Sequence, residues 1–162
     1  KSLEALVNIP IYYLDIAIEG RLKDGERLNC YWCSTQRRTE LIKFAKENGF
    51  NKIALGHHLD DILETLLMNM LYKGEFSGMP PFVPYEKYPV SVIRPLCYCE
   101  ETEITEFVQE MGLECPSCKC IAAGNSNRRL IREQIEALTM GKSTLKRNLF
   151  ESMRHIRMDY LL

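Results

Sequence analysis

KIALGHHLDDILETLLMNMLY, residues 52–72, is the stretch whose reading decides the fold. Its first five residues, Lys52 to Gly56, form a short apolar run suited to a strand in a buried parallel sheet. From Leu59 to Tyr72 the residues Leu59, Ile62, Leu63, Leu66, Leu67 and Met70 recur at helical spacing and line one apolar face. A strand that turns through Gly-His-His into an amphipathic helix is one step of an α/β chain.

Working outward, Ile9 to Ala17 is rich in β-branched and aromatic residues and is predicted as a strand. The polar stretch 19–29 reads as a loop leading into Cys30-Tyr31-Trp32-Cys33. Ser34 is then placed to cap a helix running to about Asn48, with Leu41, Ile42 and Ala45 inward and Gly49 ending it. Gly74 to Pro84, with three prolines and two glycines, is predicted as a loop, and Val90 to Ile93 as another strand. Glu101 to Met111 reads as an amphipathic helix with Ile104, Phe107, Val108 and Met111 inward and Gly112 after it. From about Asn125 the pattern is all-helical, with segments near 126–139 and 143–158. The expectation is an α/β fold, a parallel sheet flanked by helices, with a helical C-terminal part.

The composition, 46% hydrophobic and 27% charged over 162 residues, supports one globular domain with one core. No stretch approaches the roughly 20 apolar residues of a membrane-spanning helix. Lys1 to Pro10 lacks the features of a signal peptide, so no membrane partner and a cytoplasmic location are expected. The net charge of −1 hides an asymmetry. Residues 1–118 carry 12 Lys/Arg against 18 Asp/Glu, and residues 119–162 carry nine against four. A basic tail on an acidic body suits contact with a polyanion, and equally suits solvated faces of amphipathic helices. Seven cysteines without a secretory signal point to metal ligands, catalytic thiols or small buried side chains rather than disulfides.

Four groups of residues carry candidate chemistry. Gly56-His57-His58-Leu59-Asp60-Asp61 sits where a strand feeds a helix, the place where open α/β sheets take ligands. Glycine lets a ligand approach the backbone, a histidine can donate to phosphate oxygens, and paired aspartates can hold a divalent cation. The same aspartates also serve simply as helix-start residues. Cys30/Cys33 and Cys115/Cys118 are two CxxC pairs whose four sulfurs can close one metal site if the fold brings them together. Cys97 and Cys99 read as half-buried apolar residues and Cys120 as a spare thiol. Arg37 and Arg38 follow one turn into the helix, and arginine suits phosphate. In the tail, Arg128, Arg129, Lys142, Lys146, Arg147, Arg154 and Arg157 are spaced so that they can track a phosphate backbone.

Together the runs CYWCSTQRR, KIALGHHLDDILETLLMNMLYKGEFSGMPP, VIRPLCYCEE and ECPSC resemble the tRNA 2-thiocytidine synthetases of the PP-loop ATP pyrophosphatase superfamily. The resemblance extends from about Ile9 to about Arg132. It implies an adenine nucleotide alpha-hydrolase-like, Rossmann-like fold. Residues 1–124 would be the C-terminal two-thirds of the PP-loop ATPase α/β domain, and 125–162 a helical C-terminal extension. It implies that Gly56, His57, His58, Asp60 and Asp61 line an ATP site, with an Asp near Mg2+. Cys30, Cys33 and Cys115 would match three ligands of a 4Fe–4S cluster that keeps one iron open for sulfur, with Cys118 completing the second pair. Arg37 would stand where related thiolases place a catalytic basic side chain. ATP would adenylate a cytidine of the tRNA anticodon loop, and sulfur from a cysteine desulfurase or sulfide would replace the oxygen. A homodimer is implied as well.

The family's Ser-Gly-Gly-x-Asp-Ser phosphate loop does not occur in these 162 residues. About two strands and their helix are expected upstream, and without them ATP binding is expected to be poor. Two other functions remain open on sequence. One is a module in which zinc fills the cysteine site and the tail binds RNA without chemistry. The other is a different adenylating PP-loop enzyme, such as a tRNA lysidine synthetase, although an amine nucleophile needs no thiols.

Overall fold

The computed structural model describes residues 9–22, 25, 28–113 and 127–161. Cys115, Cys118 and Cys120, and the boundary at 124/125, lie outside the described residues. The chain forms two compact units, each interleaved in sequence.

The first unit takes the described residues of 1–55, 82–93 and 107–124. Its sheet has three strands, β1 (Lys52–Ala54), β2 (Phe82–Pro84) and β3 (Ser91–Ile93), in the order β1-β3-β2. β1 runs parallel to β3, as expected, with Ile53 opposite Val92. β2 is a correction to the sequence reading, because it pairs antiparallel to β3 inside the stretch predicted as loop. The prolines that argued against a strand are tolerated because β2 is the edge, where a missing N–H breaks no ladder. Val90 and Val92 are buried.

Helix α1 (Cys30–Glu47) packs on β1 and buries Ile42 and Ala45. It starts five residues earlier than predicted. Asn29, not Ser34, is the cap, and its side chain accepts the Trp32 N–H at 2.8 Å. Ser34 lies inside the helix and donates to the Tyr31 carbonyl. Leu41, expected inward, is exposed. Gly49 follows the helix in the left-handed region at φ 72°, as a helix end requires. The predicted strand Ile9–Ala17 is irregular. Its β-propensity finds no ladder among the described residues. Tyr12 instead packs on Phe44 of α1, centroids 5.2 Å apart, and Arg21 pairs with Glu40 at 2.8 Å.

The second unit holds residues 56–81, 94–106 and the described residues of 125–162. Helix α2 (Leu59–Lys73) packs on α4 (Asn127–Thr139) and α5 (Ser143–Ser152), which also meet each other. Leu59, Ile62, Leu63 and Leu67 of α2 join Cys97, Ile131, Ile135 and Phe150 in the core. Burying such side chains stabilises by about 1.5–3 kcal/mol each. Met70 falls off this face and is exposed, and α5 stops at Ser152 rather than near 158. Helix α3 (Glu101–Glu110) was expected to bury Ile104, Phe107, Val108 and Met111, but no residue of it is buried. Among the described residues no helix is long and apolar enough to cross a membrane.

Candidate functional site

The α2 N-terminus is built by its own first turn. His58 is the N-cap in extended conformation, and its N–H donates to Asp61 Oδ2 at 3.1 Å. Asp60, one position before, turns inward and is almost fully buried. Its Oδ2 accepts the Glu101 N–H at 2.8 Å, and its Oδ1 takes the Lys146 ammonium at 3.2 Å. The His58 ring lies between the acids, with Nδ1 3.6 Å from Asp60 and Nε2 3.4 Å from Asp61. Nδ1 is buried and has no hydrogen-bond partner among the described residues.

These neighbours set the protonation states. Burial pushes Asp60 up, but the His58 ring, the Glu101 N–H and Lys146 outweigh it and hold the carboxyl well below the usual range. The Asp60 carboxylate raises His58 above its ordinary value against burial, helped by Asp61 and Glu101. Burial would lower Lys146, yet Asp60 and Glu136 raise it.

A second layer surrounds this turn. Glu64, one turn further along α2, is buried and accepts from Arg132 Nε at 2.8 Å and from Arg128 at 3.3 Å. Arg128 also reaches Asp61 Oδ1 at 3.2 Å, and Arg132 reaches Glu101 at 3.2 Å. Buried Glu100 accepts from the Ser143 hydroxyl and from Arg147 Nε, whose guanidinium also meets Glu103. The basic tail therefore neutralises the acids of α2 and α3. Lys146 is largely buried in this network, whereas Arg128 and Arg147 are part of it but exposed. Arg129 and Lys142 are exposed, with Arg129 only loosely paired to Glu133 at 3.8 Å. The sequence reading did not single out Glu64, Glu100, Arg132 or Arg94. A lone glutamate among Leu63, Leu66 and Leu67 was the available signal for Glu64.

On the other side of the turn, Arg94 Nε donates to His57 Nδ1 at 3.3 Å, which leaves the neutral ring's proton on Nε2. Arg94 also donates to the Pro80 carbonyl. Gly56 is exposed, and nothing lies within 4 Å of where a Cβ would stand. That open backbone fits a phosphate-bearing ligand. A magnesium ion between Asp60 and Asp61 would compete with the Lys146 ammonium and the Arg128 guanidinium, which already sit on one oxygen of each.

In the first unit, Cys30 and Cys33 open α1 one turn apart and so share a face. Cys30 is exposed and Cys33 half-buried, both as free thiols. Cys33 borders an open cavity of about 510 Å³ together with Ile16, Ala17 and Leu28. Two thiolate donors beside such a space fit part of an iron–sulfur or zinc shell. Arg37, four residues past Cys33, and Arg38 are exposed on the same helix. Among the described residues no group of three or more His, Cys, Asp or Glu is placed to hold a metal ion.

Comparison with known proteins bears on these two sites. Residues 14–138 match the family described as the PP-loop domain. The tRNA-cytidine(32) 2-sulfurtransferase of Legionella pneumophila (strain Corby) is 36% identical over 146 residues, 90% of this chain and 51% of the relative. The enzyme of the same name from Polynucleobacter necessarius is 38% identical over 163 residues, 100% of this chain and 54% of the relative. That from Dechloromonas aromatica is 33% identical over 168 residues, 94% and 58%. The chain thus spans little more than half the length of the relatives it matches. Among solved structures, the U34-tRNA thiolase NcsA from Methanococcus maripaludis, determined with its 4Fe–4S cluster, superposes with a TM-score of 0.67 at 20% identity. The match covers 90% of this chain and 50% of that one, and it shows a shared fold.

Proposed function

The chain belongs to the PP-loop domain family, and from that premise we propose that it forms part of an ATP-dependent tRNA sulfurtransferase acting on a cytidine in the anticodon loop. One observation carries the reading: a helix-borne CxxC at the start of α1 occurs in the same chain as the GHHLDD turn that opens α2. An adenylating site alone has no use for paired thiols, whereas sulfur insertion does. The relatives named tRNA-cytidine(32) 2-sulfurtransferase support it.

ATP would supply the adenylyl group that makes the carbonyl oxygen a leaving group, and Cys30, Cys33 and Cys115 would hold a cluster whose remaining open position would take the incoming sulfur, with Cys118 beside it. In the balance of the reaction, pyrophosphate leaves first, the cytidine oxygen departs with AMP, and a C–S bond replaces C–O. The chain's own residues do the rest. The open backbone at Gly56 and the Nε2 proton of His57 receive phosphate oxygens, with Arg94 fixing the ring. Asp60 and Asp61 hold the turn in shape through Lys146, Arg128 and the His58 cap. Magnesium would arrive on the nucleotide's phosphates rather than on the Asp pair. Arg37 faces the thiol side of α1, and exposed Arg38, Arg129 and Lys142 suit the tRNA backbone. Arg128, Lys146 and Arg147 contribute less to RNA, since acids already offset their charge. A cysteine desulfurase or sulfide as donor, and a homodimeric assembly, complete the proposal.

Anaerobic incubation of the full-length protein with tRNA, ATP and sulfide, followed by nucleoside mass analysis, tests it. ATP-dependent 2-thiocytidine is the expected product. Lysidine, or unmodified cytidine from protein that retains its metal, would contradict the reading.

A further inference from the structure

The second unit contains a cavity of about 300 Å³ that the reading above leaves unused. That volume is at the lower end of small-ligand sites. Buried Ile62 and Phe150 form its floor, the turn Gly78 to Pro81 and Met153 its sides, and exposed Tyr98 and Arg154 its rim. The turn lies close on the floor. A Cβ at Gly78 would stand 3.1 Å from Met153 Sδ and 3.5 Å from Ile62 Cγ2, so glycine permits the approach.

The rim is organised. Tyr98 is held edge-on by Phe150, centroids 5.5 Å apart at 73°, while half of its surface remains exposed. The Arg154 guanidinium sits 6.0 Å from the Tyr98 ring centroid. Its pairing with Glu151 at 3.6 Å is solvent-exposed and weak, and the guanidinium has five donors to share. Exposed His155 and Arg157 follow in the chain, Arg157 lying 4.7 Å over Tyr160. The cavity is also tied to the candidate nucleotide turn. Arg94 bridges the Pro80 carbonyl and His57, and Ile62 directly follows Asp61 in α2.

An apolar slot with an aromatic ring and a guanidinium at its mouth matches a flat, neutral π-system attached to an anion. We propose that this cavity receives one unstacked nucleobase of a single-stranded RNA loop, with Tyr98, Met79 and Met153 against the base and Arg154 on its phosphate. The inference rests on the tRNA reading and deepens it by naming where the loop is held open. Single-strand binding of this kind uses aromatic stacking plus cationic contact, which is the composition found here.

The test is fluorescence anisotropy with a labelled RNA hairpin carrying an unpaired loop and with a blunt duplex of equal length. The protein is expected to prefer the hairpin. Tyr98→Ala and Arg154→Gln should each weaken hairpin binding about tenfold, the order of one lost base stack. Duplex binding and far-ultraviolet dichroism should not change, and Tyr98→Phe should retain hairpin affinity. Arg154 is exposed, so its variant does not depend on Tyr98→Ala folding. Hairpin affinity unchanged in Arg154→Gln, or hairpin and duplex weakened equally, overturns the cavity assignment and leaves tRNA as substrate. A wild-type protein that binds neither RNA overturns both.

Discussion

The first turns of α1 and α2 each carry a motif, and they are built in opposite ways. In α2 Asp60 is buried and Asp61 half-buried, and every oxygen of the two has a partner, drawn from the His58 cap, from the start of α3, and from α4 and α5. In α1 the turn is capped by Asn29, and Cys30 is exposed as a free thiol. The α2 turn is a finished scaffold that presents Gly56 and His57. The α1 turn leaves Cys30 exposed and Cys33 half-buried, the face proposed above to take a ligand. A motif's residues can thus hold a site without being the groups that touch the ligand.

The contrast breaks most directly at Asp60. Asp60→Ala leaves largely buried Lys146 with only the more exposed Glu136 at 3.4 Å and removes the acceptor of the Glu101 N–H, so a loss of about 3 kcal/mol is expected in urea unfolding. A loss below about 1 kcal/mol would mean that the α2 turn is no scaffold. Arg132→Ala leaves buried Glu64 with only the longer Arg128 contact and should cost about 2 kcal/mol by the same measurement.

Titration sharpens the comparison further. Asp60 has a depressed carboxyl, so its contribution is present above the unfolded value near 3.9 and is lost as the pH falls through its folded value. His58 is raised, so its contribution is complete below about 6.5 and is lost as the pH rises through its folded value. Urea midpoints measured across neutrality should therefore show wild type losing its advantage over His58→Gln as the pH rises, an effect below about 1 kcal/mol. An advantage that grows with pH would reverse the sign and exclude the His58–carboxylate interaction. Cys30→Ala should have the smallest effect on stability, within about 0.5 kcal/mol, because the side chain is exposed.

How much of this the sequence disclosed follows from the range of the forces involved. The strand–turn–helix at 52–72 was legible because periodicity and a glycine turn are local signals, and α2 buries Leu59, Ile62, Leu63, Leu66 and Leu67 as its spacing requires. Pairing was less legible. Ile9–Ala17 has strand composition without a described ladder, and Phe82–Pro84 has proline-rich composition yet finds an edge beside β3. Charge was the least legible. Composition identified a basic tail but not that Lys146, Arg128, Arg132 and Arg147 meet acids as far as 86 residues away. The residue types of both candidate sites were readable; which oxygens were already taken was not.

The central claim is that the thiols of α1 serve a sulfur-carrying metal centre while the α2 turn serves a nucleotide. Iron and acid-labile sulfide, assayed on anaerobically purified wild type and Cys33→Ala, test it most directly. The account predicts a brown wild-type protein with both elements, and a folded, colourless Cys33→Ala without them. A wild type holding one zinc and no sulfide after reconstitution, or a Cys33→Ala that keeps its iron, would contradict it.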